Sequence, residues 1–359
     1  MKMLQKDMRT RSLVKLAPLM AAVLSFILFL FRSDIAIEYM KMGLNLCART
    51  VIPSLFPFMV ISELLVSCGL LGRGGHGKLA EVYAFALGII CGFPIGARTV
   101  CSMVDRGEIT TSRASRILTF CNNPGSAFVI SAVGVSLFGS ARLGIILYVC
   151  VISSALIVGV IGGLFMKNNG GVVSVSSSDF IDGGDFAKKF TRAIQGSAVS
   201  MLTVCAYVTF FSSLLGCLGS LLKSAGMPSY FCALIFAIFE ISSGVGMAAE
   251  TGAMPSIILA AAALGWSGLS VHFQIMTVAS GRGISFKPYF IAKACQGLLC
   301  AALAGLAMKI LPISKDVFNE MSLAEPSGIY ANAAVVCLSF FFVSILPIFI
   351  GRTAKNPCK

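Results

Sequence analysis

The chain has 359 residues, of which 57% are hydrophobic and 12% are charged, and its mean hydropathy is +0.90. About a quarter of the residues of soluble domains are charged, so this composition excludes a soluble enzyme and indicates a polytopic membrane protein. Cytoplasmic loops that follow the positive-inside rule explain the net charge of +13. The sequence has no basic run interleaved with aromatic residues, so no nucleic-acid partner is predicted.

The N-terminus carries five basic residues before an apolar run from Leu16 to Phe31. We predict an uncleaved first transmembrane helix with its N-terminus in the cytoplasm. A bilayer requires about 20 apolar residues per helix. Nine further stretches approach this length: residues 51–71, 82–97, 117–138, 143–166, 194–222, 229–249, 255–279, 288–311 and 330–350.

The two halves of the chain resemble each other. Residues 51–65 align with 201–215, the segment 92–96 aligns with 240–244, and the segment 122–126 aligns with 265–270. Internal repeats determine architecture in many transporters, so we predict two repeats of four elements. The predicted divisions are 1–44 (basic segment and first helix), 45–166 (first repeat), 167–194 (polar linker), 195–311 (second repeat) and 312–359 (polar loop, last helix and basic C-terminus).

Loop charges bear on the orientation of the repeats. With ten complete crossings, the inside loops hold six Lys and Arg residues and the outside loops hold thirteen, which violates the positive-inside rule. If residues 82–97 and 229–249 are re-entrant instead, the count becomes twelve inside and seven outside. We therefore predict an all-α polytopic membrane protein with eight crossings and two inverted repeats, each with a broken or re-entrant helix, and with both termini cytoplasmic.

The strongest local signal in the first half is the segment from Gly92 to Gly96. Pro94 lacks an N–H donor and the glycines lack side-chain bulk, so an interrupted helix there leaves backbone groups free to bind a ligand. The alternative is that the glycines only allow close helix packing. Arg98 follows, and its charge suits either an anionic substrate or the cytoplasmic interface.

A second break is predicted at Asn122-Asn-Pro-Gly-Ser126. Asn122 and Asn123 can cap the half-helix that follows, whose N–H groups and positive dipole end favour an anion. Gly125 and Ser126 complete this candidate substrate site. The alternative is a capped kink without a ligand.

Two carboxylates lie in apolar surroundings, where ionised groups often mark ion or proton pathways. Glu63 and Glu240 are therefore candidates for ion coupling. Alternatively, Glu63 faces the interface near a helix end, and Glu240 bonds to backbone groups of a nearby break.

A polar stripe in the second half supplies Ser270 and His272 as candidate substrate contacts, and Arg282 follows between two glycines. The alternatives are a packed, hydrogen-bonded histidine and an ordinary positive-inside arginine.

The sequence contains no Walker loop, HExxH or serine-histidine-aspartate pattern, so no enzyme is predicted. There are two histidines, and most of the thirteen cysteines stand singly in apolar runs without a CxxC pair. We therefore predict no metal and no other cofactor.

Three motifs in this order and spacing, Pro53-Ser-Leu-Phe-Pro-Phe58, Gly92-Phe-Pro-Ile-Gly-Ala-Arg98 and Asn122-Asn-Pro-Gly-Ser126, resemble the sporulation integral membrane protein YlbJ (SpoVV) family. Members of that family contain regions similar to the nucleoside-recognition "Gate" domain. The resemblance implies a transporter of spore-forming Firmicutes in the outer forespore membrane, which moves dipicolinic acid from the mother cell toward the forespore.

We therefore expect a transporter of a small organic anion in a lipid bilayer. Two alternatives stay open, a non-transporting sporulation membrane scaffold and a nucleoside or cation carrier. The sequence also leaves open a homo-oligomer or other sporulation membrane proteins as partners.

Overall fold

A computed structural model describes residues 19–67, 77–165, 186–252 and 254–311. The predicted last helix at 330–350, most of the linker and the basic N-terminus lie outside these residues. The described ranges are helical and contain no strand, which confirms the all-α prediction.

Thirteen α-helices form the described part: α1 Leu19–Phe31, α2 Ser33–Leu46, α3 Ile52–Ser67, α4 Gly77–Cys91, α5 Ile95–Asp105, α6 Thr111–Cys121, α7 Ala141–Phe165, α8 Phe186–Ser224, α9 Ser229–Phe239, α10 Ile241–Glu250, α11 Met254–Trp266, α12 Gly268–Ala279 and α13 Lys287–Ile310. Two π-helical segments, Cys47–Val51 and Ala127–Leu137, join α2 to α3 and follow α6.

Within the described residues, four segments are long and apolar enough to cross a membrane: Ala141–Leu164, Phe186–Ser224, Pro255–Ala279 and Lys287–Ile310. The pair α1 and α2, bent by 102°, provides a fifth candidate span if it is counted as one. The chain is therefore an integral membrane protein.

Helix α2 was not predicted from the sequence. It carries Asp34, Glu38 and Lys41, so it has no apolar run of bilayer length. It packs instead along α8, where the Ser213 hydroxyl donates a 2.8 Å hydrogen bond to the Ala36 carbonyl. Helix α8 also differs from expectation, because it begins at Phe186, inside the predicted linker.

Four interruptions divide the central helices into half-length pieces. They lie between α4 and α5, between α6 and the π-helical segment Ala127–Leu137, at Glu240 between α9 and α10, and at Ser267 between α11 and α12. The pieces have 10 to 15 residues. At 1.5 Å per residue, each is about 15–22 Å long, shorter than the roughly 30 Å hydrocarbon core.

The pair α4 and α5 forms a hairpin. A Cβ atom on Gly88 would lie 3.6 Å from the Cα atom of Gly96, whereas residues eight apart in a straight helix are about 12 Å apart. Near the start of α4, Glu81 pairs with Arg113 at the start of α6, and α5 ends at Asp105 just before α6. Both ends of the hairpin therefore lie on the same face of the protein.

The pair α9 and α10 also reverses direction. A Cβ atom on Gly244 would lie 2.8 Å from the Cβ atom of Ala237. Further along, Ala233 and Ala248 share a buried apolar cluster with Leu259 of α11. Both predicted re-entrant elements are thus broken and folded back at the predicted positions.

The loop after α12 contacts the first hairpin. Arg282 makes two 2.7 Å hydrogen bonds to Asp105, and the Ser285 N–H donates to the Ser115 hydroxyl at 2.9 Å. Ten complete crossings would place these two loops on opposite faces, so that arrangement is excluded. The predicted total of eight crossings stays a prediction, because four or five of the described segments are long and apolar enough to cross and the last predicted span lies outside the described residues.

The two hairpins lie toward opposite faces. Residues Pro255–Ala279 form one span that ends on the face of Arg282, so the second hairpin, which ends just before α11, lies toward the other face. An inverted repeat predicts this placement, and the repeat itself stays a prediction.

Candidate functional site

The four breaks meet in two pairs. A Cβ atom on Gly92 would lie 2.6 Å from the Gly125 nitrogen, and one on Gly268 would lie 3.1 Å from the Glu240 Cα atom. Gly92 and Gly268 also have positive φ angles, 83° and 81°. Only glycine tolerates both the conformation and the close approach. In each half, the tip of the hairpin therefore touches the break of the following span.

The C-terminal ends of the hairpin helices α4 and α9 are satisfied by neutral donors. The Tyr148 hydroxyl donates a 2.7 Å hydrogen bond to the Ile89 carbonyl of α4. The Trp266 indole donates a 3.1 Å hydrogen bond to the Ile238 carbonyl of α9. Such caps remove the cost of unpaired carbonyls at membrane depth.

The C-terminal end of α6 is satisfied by a charged donor. The Lys293 ammonium, on α13, donates to the Asn122 carbonyl at 3.1 Å and to Gln296 Oε1 at 2.8 Å. Gln296 Nε2 donates to Asn123 Oδ1 at 2.7 Å, and Asn123 Nδ2 donates to the Phe120 carbonyl at 2.7 Å. Lys293 is fully buried, and no carboxylate in the described part of the chain pairs with it.

The Asn122 carboxamide lies beside this network and does not take part in it. Its two polar atoms are buried without a hydrogen bond among the described residues, although the Tyr289 hydroxyl is a near neighbour. Tyr289 pairs with His272 Nδ1 at 2.8 Å, while His272 Nε2 has no partner in the described part. We refer to these buried residues as the break cluster: Asn122, Asn123, His272, Tyr289, Lys293 and Gln296.

Glu240 caps the N-terminus of α10. Its carboxylate accepts hydrogen bonds from the Ser242 and Ser243 N–H groups at 3.0 and 2.7 Å, and the residue is 2% exposed. A carboxylate at this position offsets the positive end of the helix dipole. The corresponding helix of the first half, α5, begins after Pro94 without a side-chain cap.

Arg98 lies one turn beyond Pro94 and is held by neighbouring elements. Its guanidinium forms a 3.0 Å ion pair with Glu63 of α3 and donates to the Gly196 carbonyl of α8 at 3.1 Å. The structure thus brings together the candidate substrate residue Arg98 and the candidate coupling residue Glu63.

Arg282 lies apart from the breaks. It pairs with Asp105 at the far end of α5, about 16 Å from Pro94 by the helical rise over eleven residues. The hydrogen bond to Asp105 raises the pKa of Arg282 above its ordinary value, so the guanidinium stays charged. This placement matches an interfacial arginine better than a substrate contact at the breaks.

The other predicted residues lie at or near the breaks. A Cβ atom on Gly96 would overlap the Cys121 carbonyl, and the Ser126 hydroxyl donates to the Ile90 carbonyl at 3.4 Å. Ser270 is buried on α12 and accepts a 3.4 Å hydrogen bond from the Gln274 side chain.

Three residues of the break cluster were missed from the sequence: Tyr289, Lys293 and Gln296. A lysine inside an apolar span is a recognisable signal of function, and Lys293 could have been found that way. A single tyrosine or glutamine in an apolar helix carries no comparable signal.

Among the described residues, no group of three or more His, Cys, Asp or Glu side chains could hold a metal ion.

No protein-family model and no solved structure matches the chain. It is 25% identical, over 405 aligned residues, to the sporulation integral membrane protein YlbJ of Bacillus subtilis strain 168. The similarity covers 93% of this chain and 97% of that protein. The Gate-domain resemblance stays a prediction. The near full-length similarity agrees with the three sequence motifs and the helical membrane fold, and it supports the resemblance of the chain to the family of the sporulation integral membrane protein YlbJ.

Proposed function

We propose that the chain is a membrane transporter of a small organic anion, and that this anion is dipicolinic acid moved from the mother cell toward the forespore. The substrate, the outer forespore membrane and the direction rest on the family resemblance. Transport as such rests on the site. In this proposal the chain is a carrier and not an enzyme, it uses no cofactor, and both termini are cytoplasmic.

The observation that carries the proposal is the set of four helix breaks that meet in two pairs, with the buried break cluster at the break after α6. Non-helical backbone at membrane depth is tolerated where it is buried in protein or lines a cavity. Transporters use such paired breaks to bind substrates and ions near the membrane midplane. A scaffold has no need for four breaks and a buried polar cluster between them.

Two features support an anionic substrate. The N-terminus of α10 is neutralised by the Glu240 carboxylate, whereas the N-terminus of α5 has no side-chain cap. A substrate carboxylate at the start of α5 would occupy the place that Glu240 holds on α10. Asn122, whose carboxamide is unused, would then donate a hydrogen bond to the anion. Glu63, paired with Arg98, is the better placed candidate for proton coupling, because Glu240 is engaged as a cap.

The test is uptake of labelled dipicolinate into proteoliposomes. We expect Asn122→Ala to lower uptake by about tenfold or more, the worth of a hydrogen bond to a charged group. The variant should still fold, since the two polar atoms of the side chain have no geometric hydrogen bond within the described residues. Ser256→Ala, on α11, is the matched control, because it too removes a buried polar group without a hydrogen-bond partner among the described residues.

The alternatives make different predictions. A scaffold would leave sporulation intact in Asn122→Ala and Arg98→Ala cells in which the protein accumulates. A nucleoside or cation carrier would be inhibited by nucleosides or cations in a competition panel and not by aromatic dicarboxylates. Absence of dipicolinate uptake by folded protein under every imposed ion gradient would contradict the proposal.

A further inference from the structure

We propose that the Lys293 ammonium is a tethered cation, which occupies at the C-terminal end of α6 the place that a mobile monovalent cation takes in ion-coupled carriers. In such carriers, unwound carbonyls and the C-terminal ends of half-helices coordinate the coupling ion. The transport consequence rests on the proposed function. The binding claim does not, and it is tested separately.

The surroundings of the ammonium resemble a cation site. Its two hydrogen-bond acceptors are neutral oxygens, the Asn122 main-chain carbonyl and Gln296 Oε1. The carbonyl lies just past the last residue of α6, where the helix dipole places about half a negative charge. Gln296 is itself oriented, since its Nε2 atom donates to Asn123 Oδ1 and leaves Oε1 to accept.

Satisfying a free carbonyl does not require a charge. The corresponding ends of α4 and α9 are capped by the Tyr148 hydroxyl and the Trp266 indole. A charged side chain at membrane depth costs more free energy than a neutral hydrogen-bonded donor. The positive charge of Lys293 therefore serves a purpose beyond capping. It lies next to Asn122, whose unused carboxamide is the proposed contact for the anion.

Two consequences follow for this chain. A carrier with a built-in cation needs no sodium ion at this position, so its stability is independent of alkali cations. Removing the lysine side chain leaves an oxygen-lined vacancy that a free cation can enter. The deleted atoms of Lys293→Ala correspond to n-propylammonium, which is the closest free substitute.

The experiment measures the melting temperature of Lys293→Ala in lipid nanodiscs. The buffer contains choline chloride, or choline is replaced by sodium, lithium, potassium or n-propylammonium. We expect the variant to melt below the wild type in choline and to regain most of the difference with at least one small cation. Wild-type protein should respond to none of them. Tyr148→Phe, which removes a neutral cap from α4, should be destabilised without any response to cations.

Folded Lys293→Ala that responds to none of these cations would overturn the proposal. If the variant is recovered folded only when sodium or n-propylammonium is present, the proposal is supported. If no folded variant is recovered in the presence of any of these cations, the proposal is overturned.

Lys293→Gln provides a second arm, because it keeps an N–H donor on a side chain one atom shorter and removes the charge. We expect a folded, cation-insensitive protein whose anion uptake falls by about tenfold or more through loss of the charge, the worth of a contact with a charged group. Uptake equal to the wild type would contradict a role for the charge. If the wild type itself takes up no anion, the transport proposal fails, while the melting experiment still decides the cation site.

Discussion

Substituting Gly88 by alanine tests the close packing of the first hairpin on the α6 break. A Cβ atom on Gly88 would overlap the carbonyl oxygen of Cys121, well inside the 3.0 Å below which real Cβ contacts essentially never fall. Because the obstacle is main chain, α4 and α6 would have to separate by about 1 Å. Overpacking of this kind costs about 1–3 kcal/mol, and we expect the upper end.

Alanine also favours a helix over glycine by about 1 kcal/mol, which offsets part of this cost. Gly246 on α10 is the matched control, since a Cβ atom added there would meet nothing within 4 Å. Gly246→Ala should therefore stabilise the protein by up to about 1 kcal/mol. The two variants should differ in unfolding free energy by about 3 kcal/mol, with opposite signs relative to the wild type.

The assay is reversible unfolding in mixed detergent micelles, followed by circular dichroism. Purified protein should also show reduced dipicolinate uptake for Gly88→Ala, because the displaced Cys121 carbonyl is adjacent to Asn122. If Gly88→Ala is as stable as Gly246→Ala, the first hairpin does not pack against the break as described.

Three further predictions concern the second hairpin and the contact between the halves. In the same unfolding assay, Glu240→Ala should lower the unfolding free energy by about 1–2 kcal/mol because the α10 cap is lost. Glu240→Gln should be intermediate, and equal stability of the wild type and both variants would contradict a capping role. In a background without native cysteines, Ser112→Cys and Ser285→Cys should react with a membrane-impermeant maleimide from the same side, and labelling from opposite sides would refute the shared face. A double-mutant cycle on Arg282→Gln and Asp105→Asn should give a coupling energy of at most about 1 kcal/mol, because the pair is partly exposed; a much larger value would show that this contact closes a buried gate.

The sequence was sufficient for the helical class and for three of the four breaks, while the break at Ser267 was only aligned with the segment 122–126. Glycine and proline in the segment 92–96 interrupt a helix by backbone chemistry alone, and Glu240 marked its break because a carboxylate in an apolar run needs donors. Helix α2 was missed because its charged residues interrupt the apolar run by which a membrane helix is recognised, although the helix packs along α8.

The sequence did not show how far each polar residue lies from the helix breaks or which residues of other helices it contacts. The sequence left Arg282 open between a substrate contact and a positive-inside arginine, and its pairing with Asp105 at the end of α5 depends on the tertiary fold. Lys293 was visible as a lysine in an apolar span, but its partners Asn122 and Gln296 depend on how α13 packs against α6. Such neighbours are determined by tertiary packing and leave no local pattern.

The contacts of Gly92 with Gly125 and of Gly268 with Glu240 have a mechanical consequence. They join main chain to main chain, so no flexible side chain lies between a hairpin tip and the broken span to absorb a displacement. Neither a hairpin tip nor the broken span beside it can therefore shift toward the other without displacing main-chain atoms of both.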